Sequence, residues 1–157
     1  MSEDLLIRPA TRSDLADVLL LYQDLNPEDL KADRVRQEKT YAQMLDQPGL
    51  TILLAFLDGN PVATLTLVIV PNLTRGCAPY AIVENVVTLT SCRGKGIGKR
   101  LMKNAIAQCW AAGCFKIMLM SGSANLPAHA FYESMGFKRS KTGFELRQPG
   151  YAPRKIT

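Results

Sequence analysis

The chain lacks what metal centres and disulfide frameworks are made from. It has one histidine, His129, and four cysteines (Cys77, Cys92, Cys109, Cys114) with no C-x-x-C pair among them. Zinc sites and disulfide scaffolds depend on such spacing, so no metal is expected and the thiols read as small apolar side chains. No run approaches the roughly 20 apolar residues that span a bilayer. The first residues, Met1-Ser2-Glu3-Asp4, are acidic where a secretion signal is basic and then apolar. The expectation is a cytoplasmic protein with no membrane partner. Repeats, low-complexity tracts and an interdomain linker are also missing. At 157 residues, 47% hydrophobic and 21% charged, the chain reads as one domain over 1–157, long enough to bury a core without cross-links.

Acidic residues are absent from one segment above all, Cys92-Arg93-Gly94-Lys95-Gly96-Ile97-Gly98-Lys99-Arg100-Leu101-Met102. With Lys103, its cations Arg93, Lys95, Lys99 and Arg100 equal the whole net charge of +5, so the excess is a local patch rather than a broad basic face. A local patch suits a small polyanion better than a duplex, which argues against nucleic acid as a partner. Lys138, Arg139, Lys141, Arg147, Arg154 and Lys155 in the tail keep that alternative open. Glycines at alternate positions strip side chains from a turn directly before an amphipathic helix. Such a turn bares N–H groups where the helix dipole adds positive charge, a site for phosphate. It is not a P-loop, because Arg occupies both position 93 and position 100. It is not a dinucleotide fingerprint, because the glycines are spaced two and two, some 90 residues into the chain.

Hydrophobic periodicity predicts the remaining elements. A first strand runs from Leu5 to Arg8. Thr11-x-x-Asp14 resembles a capping box, and the helix behind it aligns Leu15, Val18, Leu19, Tyr22 and Leu25 before Asn26-Pro27. A second helix covers about 33–47. Strands follow over 51–57, 61–70 and 80–90, the first two joined by an Asp58-Gly59-Asn60 turn and the last two by an irregular connection over 71–79. The glycine turn and its helix reach about Ala112, with Gly113 as cap. A strand over 115–120, a short helix over 126–135 and two last strands over 137–140 and 144–147 complete the chain. Hairpin signals mixed with β-α-β connections indicate an α+β fold: a mixed, mostly antiparallel sheet of six or seven strands, flanked by about four helices on both faces.

Arg93, Gly96 and Gly98, directly after an apolar strand, resemble the acetyl-CoA-binding signature Q/R-x-x-G-x-G/A of the GCN5-related N-acetyltransferases (GNAT). Asn125 with Ala130-Phe131-Tyr132-Glu133-Ser134-Met135-Gly136-Phe137 looks like that family's segment ending in F-Y-E-x-x-G-F, and the order of elements matches over nearly the whole chain. The resemblance implies a GNAT fold whose central strand is bulged and splayed, with acetyl-CoA as donor. It implies that backbone amides of Gly94, Lys95, Gly96, Ile97, Gly98 and Lys99 hold the coenzyme's diphosphate, and that Val86, Val87 and Thr88 pair with its pantetheine arm. Asn125 would contact the coenzyme and Tyr132 would sit near its sulfur. A homodimer is implied as well. Certain family members carry an acid at the end of the strand after the coenzyme helix; Met118-Leu119-Met120-Ser121 stands there instead.

Acyl transfer to an amine needs a proton acceptor for the nucleophile and a donor for the leaving thiolate. Tyr132 suits the second task. Glu84, a carboxylate in the apolar run Ile82-Val83-Glu84-Asn85-Val86-Val87, is the candidate for the first; otherwise it makes a structural ion pair or lies at a solvated strand end. The stretch around Glu84 also resembles glucosamine-6-phosphate N-acetyltransferases. The reading is N-acetyl transfer to a small primary amine or peptide. An amino-sugar phosphate acceptor and a non-catalytic coenzyme A-binding module are the alternatives. His129 reads as a surface or coenzyme-flanking residue, and Cys92 offers a minor acyl-cysteine route.

Overall fold

Four runs of β-favouring residues and one short piece build a single sheet in a computed structural model that describes residues 4–153; residues 1–3 and 154–157, with Arg154 and Lys155 of the basic tail, lie outside the described residues. The strands are β1 (Leu5–Pro9), β2 (Leu50–Leu57), β3 (Asn60–Val70), β4 (Tyr80–Thr88) and β5 (Ile117–Met118). They pair in sequence order, antiparallel up to β4 and parallel from β4 to β5. Asp58 and Gly59 both take positive φ (49° and 81°) between the paired Leu57 and Asn60. That is the two-residue type I′ loop whose twist suits a hairpin.

The sheet's two faces follow from the period of two. Ile52, Leu54 and Phe56 of β2 and Val87 of β4 pack against Val18 and Leu21 of α1 (Leu15–Leu25) and Tyr41 of α2 (Arg34–Asp46). The alternate residues Leu53, Ala55, Ala63, Leu65 and Leu67 are also buried. On that face lies α4 (Ile97–Ala111), burying Leu101, Met102, Ala105 and Cys109. The β3–β4 connection holds one short turn, α3 (Thr74–Cys77), in which Arg75, Gly76 and Cys77 take positive φ. Contacts divide the chain between Leu119 and Met120: the sheet with α1–α4 forms one compact unit, and the segment carrying α5 (Leu126–Ser134) forms a second.

The start of α1 is tied to β1. Asp14, 5% exposed, accepts hydrogen bonds from Arg8 Nη1 (2.7 Å), Arg8 Nη2 (2.9 Å), Thr11 N (2.6 Å) and Thr11 Oγ1 (2.9 Å). The expected capping box is present, closing a 3-10 turn over Arg12–Asp14 rather than the helix itself. Tyr41 donates to Thr11 O at 2.7 Å, and burial pushes its phenol up to about 12.

Two expectations are corrected. The strand over 115–120 shrinks to Ile117–Met118, and residues 137–140 and 144–147 form no strand, leaving five strands among the described residues. Phe144 and Leu146 keep their alternation, yet both side chains stand in solvent, 91% and 101% exposed. A short segment with no neighbouring strand has nothing to hold it extended. The cysteines divide as well. Cys109 and Cys114 are buried as small apolar residues, and burial pushes the Cys109 thiol up to about 11; Cys77 is exposed and Cys92 half-buried.

Candidate functional site: an open strand edge beside a bare turn

The central strand changes character at its midpoint. Thr64 and Thr66 of β3 stand opposite Val87 and Glu84 of β4, so β4 carries one residue more than its partner over this stretch. Asn85 absorbs the surplus at φ 50°, a left-handed conformation that asparagine tolerates better than its β-branched neighbours would. Pairing with β5 has already ended at Ile82 and Met118. From Glu84 to Thr88, β4 is therefore paired on one side only among the described residues. The bulge is the one the family resemblance implies, and a bulge is a recurrent device for ending a ladder beside a site.

The open edge leads into the glycine turn. A 3-10 turn over Thr90–Cys92 delivers Arg93, whose N–H bonds Thr90 O, and further on the N–H of Arg100 bonds Gly96 O. Between them the N–H groups of Gly94, Gly96, Ile97, Gly98 and Lys99 meet no backbone carbonyl among the described residues. Gly94 and Gly96 sit at φ 78° and 77° with nothing within 4 Å of a built Cβ, so the constraint on both is conformational rather than steric. Ile97, buried at 4% exposure, anchors the turn from below. The result is a row of N–H groups at the N-terminus of a 15-residue helix, ringed by exposed Lys95, Lys99 and Arg100.

Arg93 belongs to the motif, but its side chain folds back. Its Nε donates to Thr88 O at 3.1 Å and its Nη2 stands 3.8 Å from Asp24 Oδ2. Asp24, on the last turn of α1, also accepts from Thr90 N at 3.2 Å and Thr90 Oγ1 at 3.3 Å. Asp24 and Thr90 were not singled out from the sequence. An acid near a helix end is ordinary, and only the fold brings it 66 residues along to the turn.

The acetyltransferase (GNAT) family matches residues 15–137. The chain belongs to that family. An acetyltransferase structure from Agrobacterium tumefaciens, described as putative, is 50% identical, covers 91% of this chain and 99% of its own, and superposes with a TM-score of 0.88. A Trypanosoma brucei acetyltransferase structure is 29% identical over 92% of this chain and all of its own, with a TM-score of 0.78. Among curated proteins, glucosamine 6-phosphate N-acetyltransferase of Trypanosoma brucei brucei is 38% identical over 88 residues, 56% of this chain and 58% of that one. The chain thus spans little more than half the length of such curated relatives.

The remaining site residues of this GNAT chain divide between its two units. Val87 is in the core, whereas Val86 and Thr88 are half-buried along the open edge. Glu84 is exposed, and its carboxylate makes no hydrogen bond or ion pair with another described residue. On its face of the sheet it stands directly across from Thr66, whose Oγ1 lies 3.3 Å from the hydroxyl of Tyr22.

In the second unit, Asn125 caps α5, its side chain accepting from Ala128 N at 3.3 Å. Much of the F-Y-E-x-x-G-F segment proves to be a helix stop. Gly136, at φ 94°, donates to Glu133 O, and Phe137 donates to Tyr132 O at 3.1 Å while its ring lies 6.0 Å from that of Tyr132. That pair of bonds with its hydrophobic contact is a Schellman motif. Tyr132 itself is half-buried and edge-on to Phe131. His129 is fixed by its own loop, with Nε2 at 2.8 Å from Gly122 O.

Proposed function

We propose that this chain is a single N-acetyltransferase domain that transfers an acetyl group from acetyl-CoA directly to a primary amine of a small molecule. The observation that carries the reading is the adjacency of the unpaired edge of β4 to the row of bare N–H groups after Arg93. Those residues fit coenzyme A. An amide-bearing arm can add to an open strand edge through backbone hydrogen bonds, and a diphosphate suits exposed N–H groups among lysines. In the reaction the amine nitrogen bonds to the acetyl carbon and the carbon–sulfur bond breaks. Glu84 accepts or relays the proton that the amine loses, and Tyr132 supplies one to the leaving thiolate. Asn125 steadies the start of the helix that bears Tyr132.

A thermal-shift measurement with coenzyme A tests the donor first; a thiol-release assay across amino sugars, amino acids, polyamines and N-terminal peptides then tests the acceptor. A clear rise in Tm followed by amine-dependent thiol release is expected, and no rise overturns the reading. A rise without release from any amine would favour the non-catalytic alternative. A second reading, an amino-sugar phosphate acceptor, draws support from the glucosamine 6-phosphate N-acetyltransferases matched over half of the chain. A cytoplasmic homodimer is part of the same proposal. Exposed Phe144 and Leu146 near the C-terminus support a contact between copies, which light scattering tests.

Asp24 serves this function as a positioning residue. Asp24→Ala is expected to raise KM for acetyl-CoA on the order of 10-fold while kcat changes little, because the turn loses its tie to α1. Asp24→Asn, which keeps an acceptor for the Thr90 N–H but loses the attraction to Arg93, should fall between. A loss confined to kcat would move Asp24 from positioning the turn to the chemistry.

A further inference from the structure

The sheet face that bears Glu84 is not fully covered. Thr66, Val68 and Val70 of β3 stand opposite Glu84, Ile82 and Tyr80 of β4, and Met118 of β5 stands beside Ile82. α1 reaches as far as Thr66, through Tyr22. Beyond it the covering stops. Thr66 is 4% exposed, whereas Val68, Val70, Tyr80 and Ile82 are half-buried and Met118 is 37% exposed. These side chains form an apolar strip, and its two ends carry opposite charge. Glu84, exposed and unpaired among the described residues, closes one end. At the other, exposed Lys116 places Nζ 5.8 Å from the centre of the Tyr80 ring and 5.3 Å from that of Phe115, and Arg75 sits 5.8 Å over the same Phe115 ring. Four residues of extended strand separate Glu84 from Tyr80, about 13 Å.

We infer that this strip is the acceptor site, and that its acceptor is an extended primary amine with an apolar body and an anionic group at the far end. Glu84 takes the amine; Ile82, Val68 and Met118 floor the body; Lys116, with Arg75 beside it, takes the anion. The inference rests on the acetyl-transfer reading and narrows it. An uncharged floor between a lone carboxylate and a pair of cations selects for charge separation. A compact hexosamine phosphate, with amine and phosphate on one ring, does not fill it.

The test compares kcat/KM for 8-aminooctanoate and octylamine in the wild-type enzyme, Lys116→Met and Lys116→Arg, with the coenzyme A thermal shift measured on every sample. The wild type is expected to prefer 8-aminooctanoate about tenfold, Lys116→Met to lose that preference and Lys116→Arg to restore it. Lys116 is exposed, so neither variant threatens the fold, and the thermal shift checks this directly. The proposal is overturned by equal use of the two amines in the wild type, by a preference that survives Lys116→Met, or by glucosamine 6-phosphate outpacing both. A retained thermal shift with turnover of neither probe also overturns it while leaving the donor reading intact. Loss of the thermal shift in the wild type overturns the donor reading itself.

Discussion

Glu84→Gln is expected to lower kcat on the order of 100-fold, the usual worth of a positioned acid–base group, while leaving the coenzyme-induced rise in Tm unchanged. The substitution keeps the volume and the hydrogen-bonding reach of the side chain and removes only its ability to take a proton. Glu84 is exposed and makes no ion pair among the described residues, so the packing of β4 does not lean on its charge there. A stability effect would therefore be small, and a kinetic one can be read without correction. The bulge at Asn85 explains why a carboxylate stands there at all. With β4 carrying one extra residue, Glu84 and Val87 fall on the same face, shared with Thr66 and Tyr22, and Glu84 stands where the strand's edge opens. Thiol release in Glu84→Gln equal to wild type across the pH range, with the protein folded, would remove Glu84 from the mechanism and leave the amine to shed its proton to water.

Much of this arrangement was legible in the chain because it is local. The glycine turn announced itself through three alternate glycines and a run without acids, and positive φ at Gly94 and Gly96 is what that spacing predicts. The helix boundaries were legible for the same reason: Asp33 and Asn125 cap α2 and α5 with their own side chains. The C-terminal strands misled because the alternation at Phe144 and Leu146 says which side chains could share a face. It does not say whether a partner strand exists. The staple between Asp24, Thr90 and Arg93 was invisible, since an ion pair across 66 or more positions leaves no periodic trace. Motif reading also overstated what a motif is for. Arg93 spends its guanidinium on Thr88 O and Asp24, and the glycine and final phenylalanine of the F-Y-E-x-x-G-F segment end a helix.

The largest effect on stability is expected at Asp14, far from any reacting atom. Asp14→Ala should lower the unfolding free energy by about 3 kcal/mol, because it strands a partly buried guanidinium and undoes the Thr11–Asp14 capping box. The lost partners are both Arg8 nitrogens, at 2.7 and 2.9 Å, and the amide and hydroxyl of Thr11. Replacing Arg8 and Asp14 together with apolar residues should cost less than Asp14→Ala alone, since no unpaired charge remains. The pH dependence has a definite sign. The Arg8 hydrogen bonds, helped by Thr11, hold the Asp14 carboxyl well below the usual carboxylate range, outweighing the upward push of burial. Its contribution is therefore fully present above the unfolded carboxyl's pKa, near 4, and is lost as pH falls through the depressed folded value. Urea midpoints of wild type and Asp14→Ala should stand far apart at pH 7 and draw together below about pH 4. A gap that stays constant down to pH 2.5 would show that Asp14 acts through packing rather than charge. The same helix that Asp14 fastens to β1 meets the glycine turn through Asp24, so α1 is tied near both ends by carboxylates. Loosening the first end should weaken coenzyme binding only to the extent that it destabilises the whole unit. Loosening the second should weaken binding at unchanged stability, and the contrast between the two variants separates a stabilising ion pair from a positioning one.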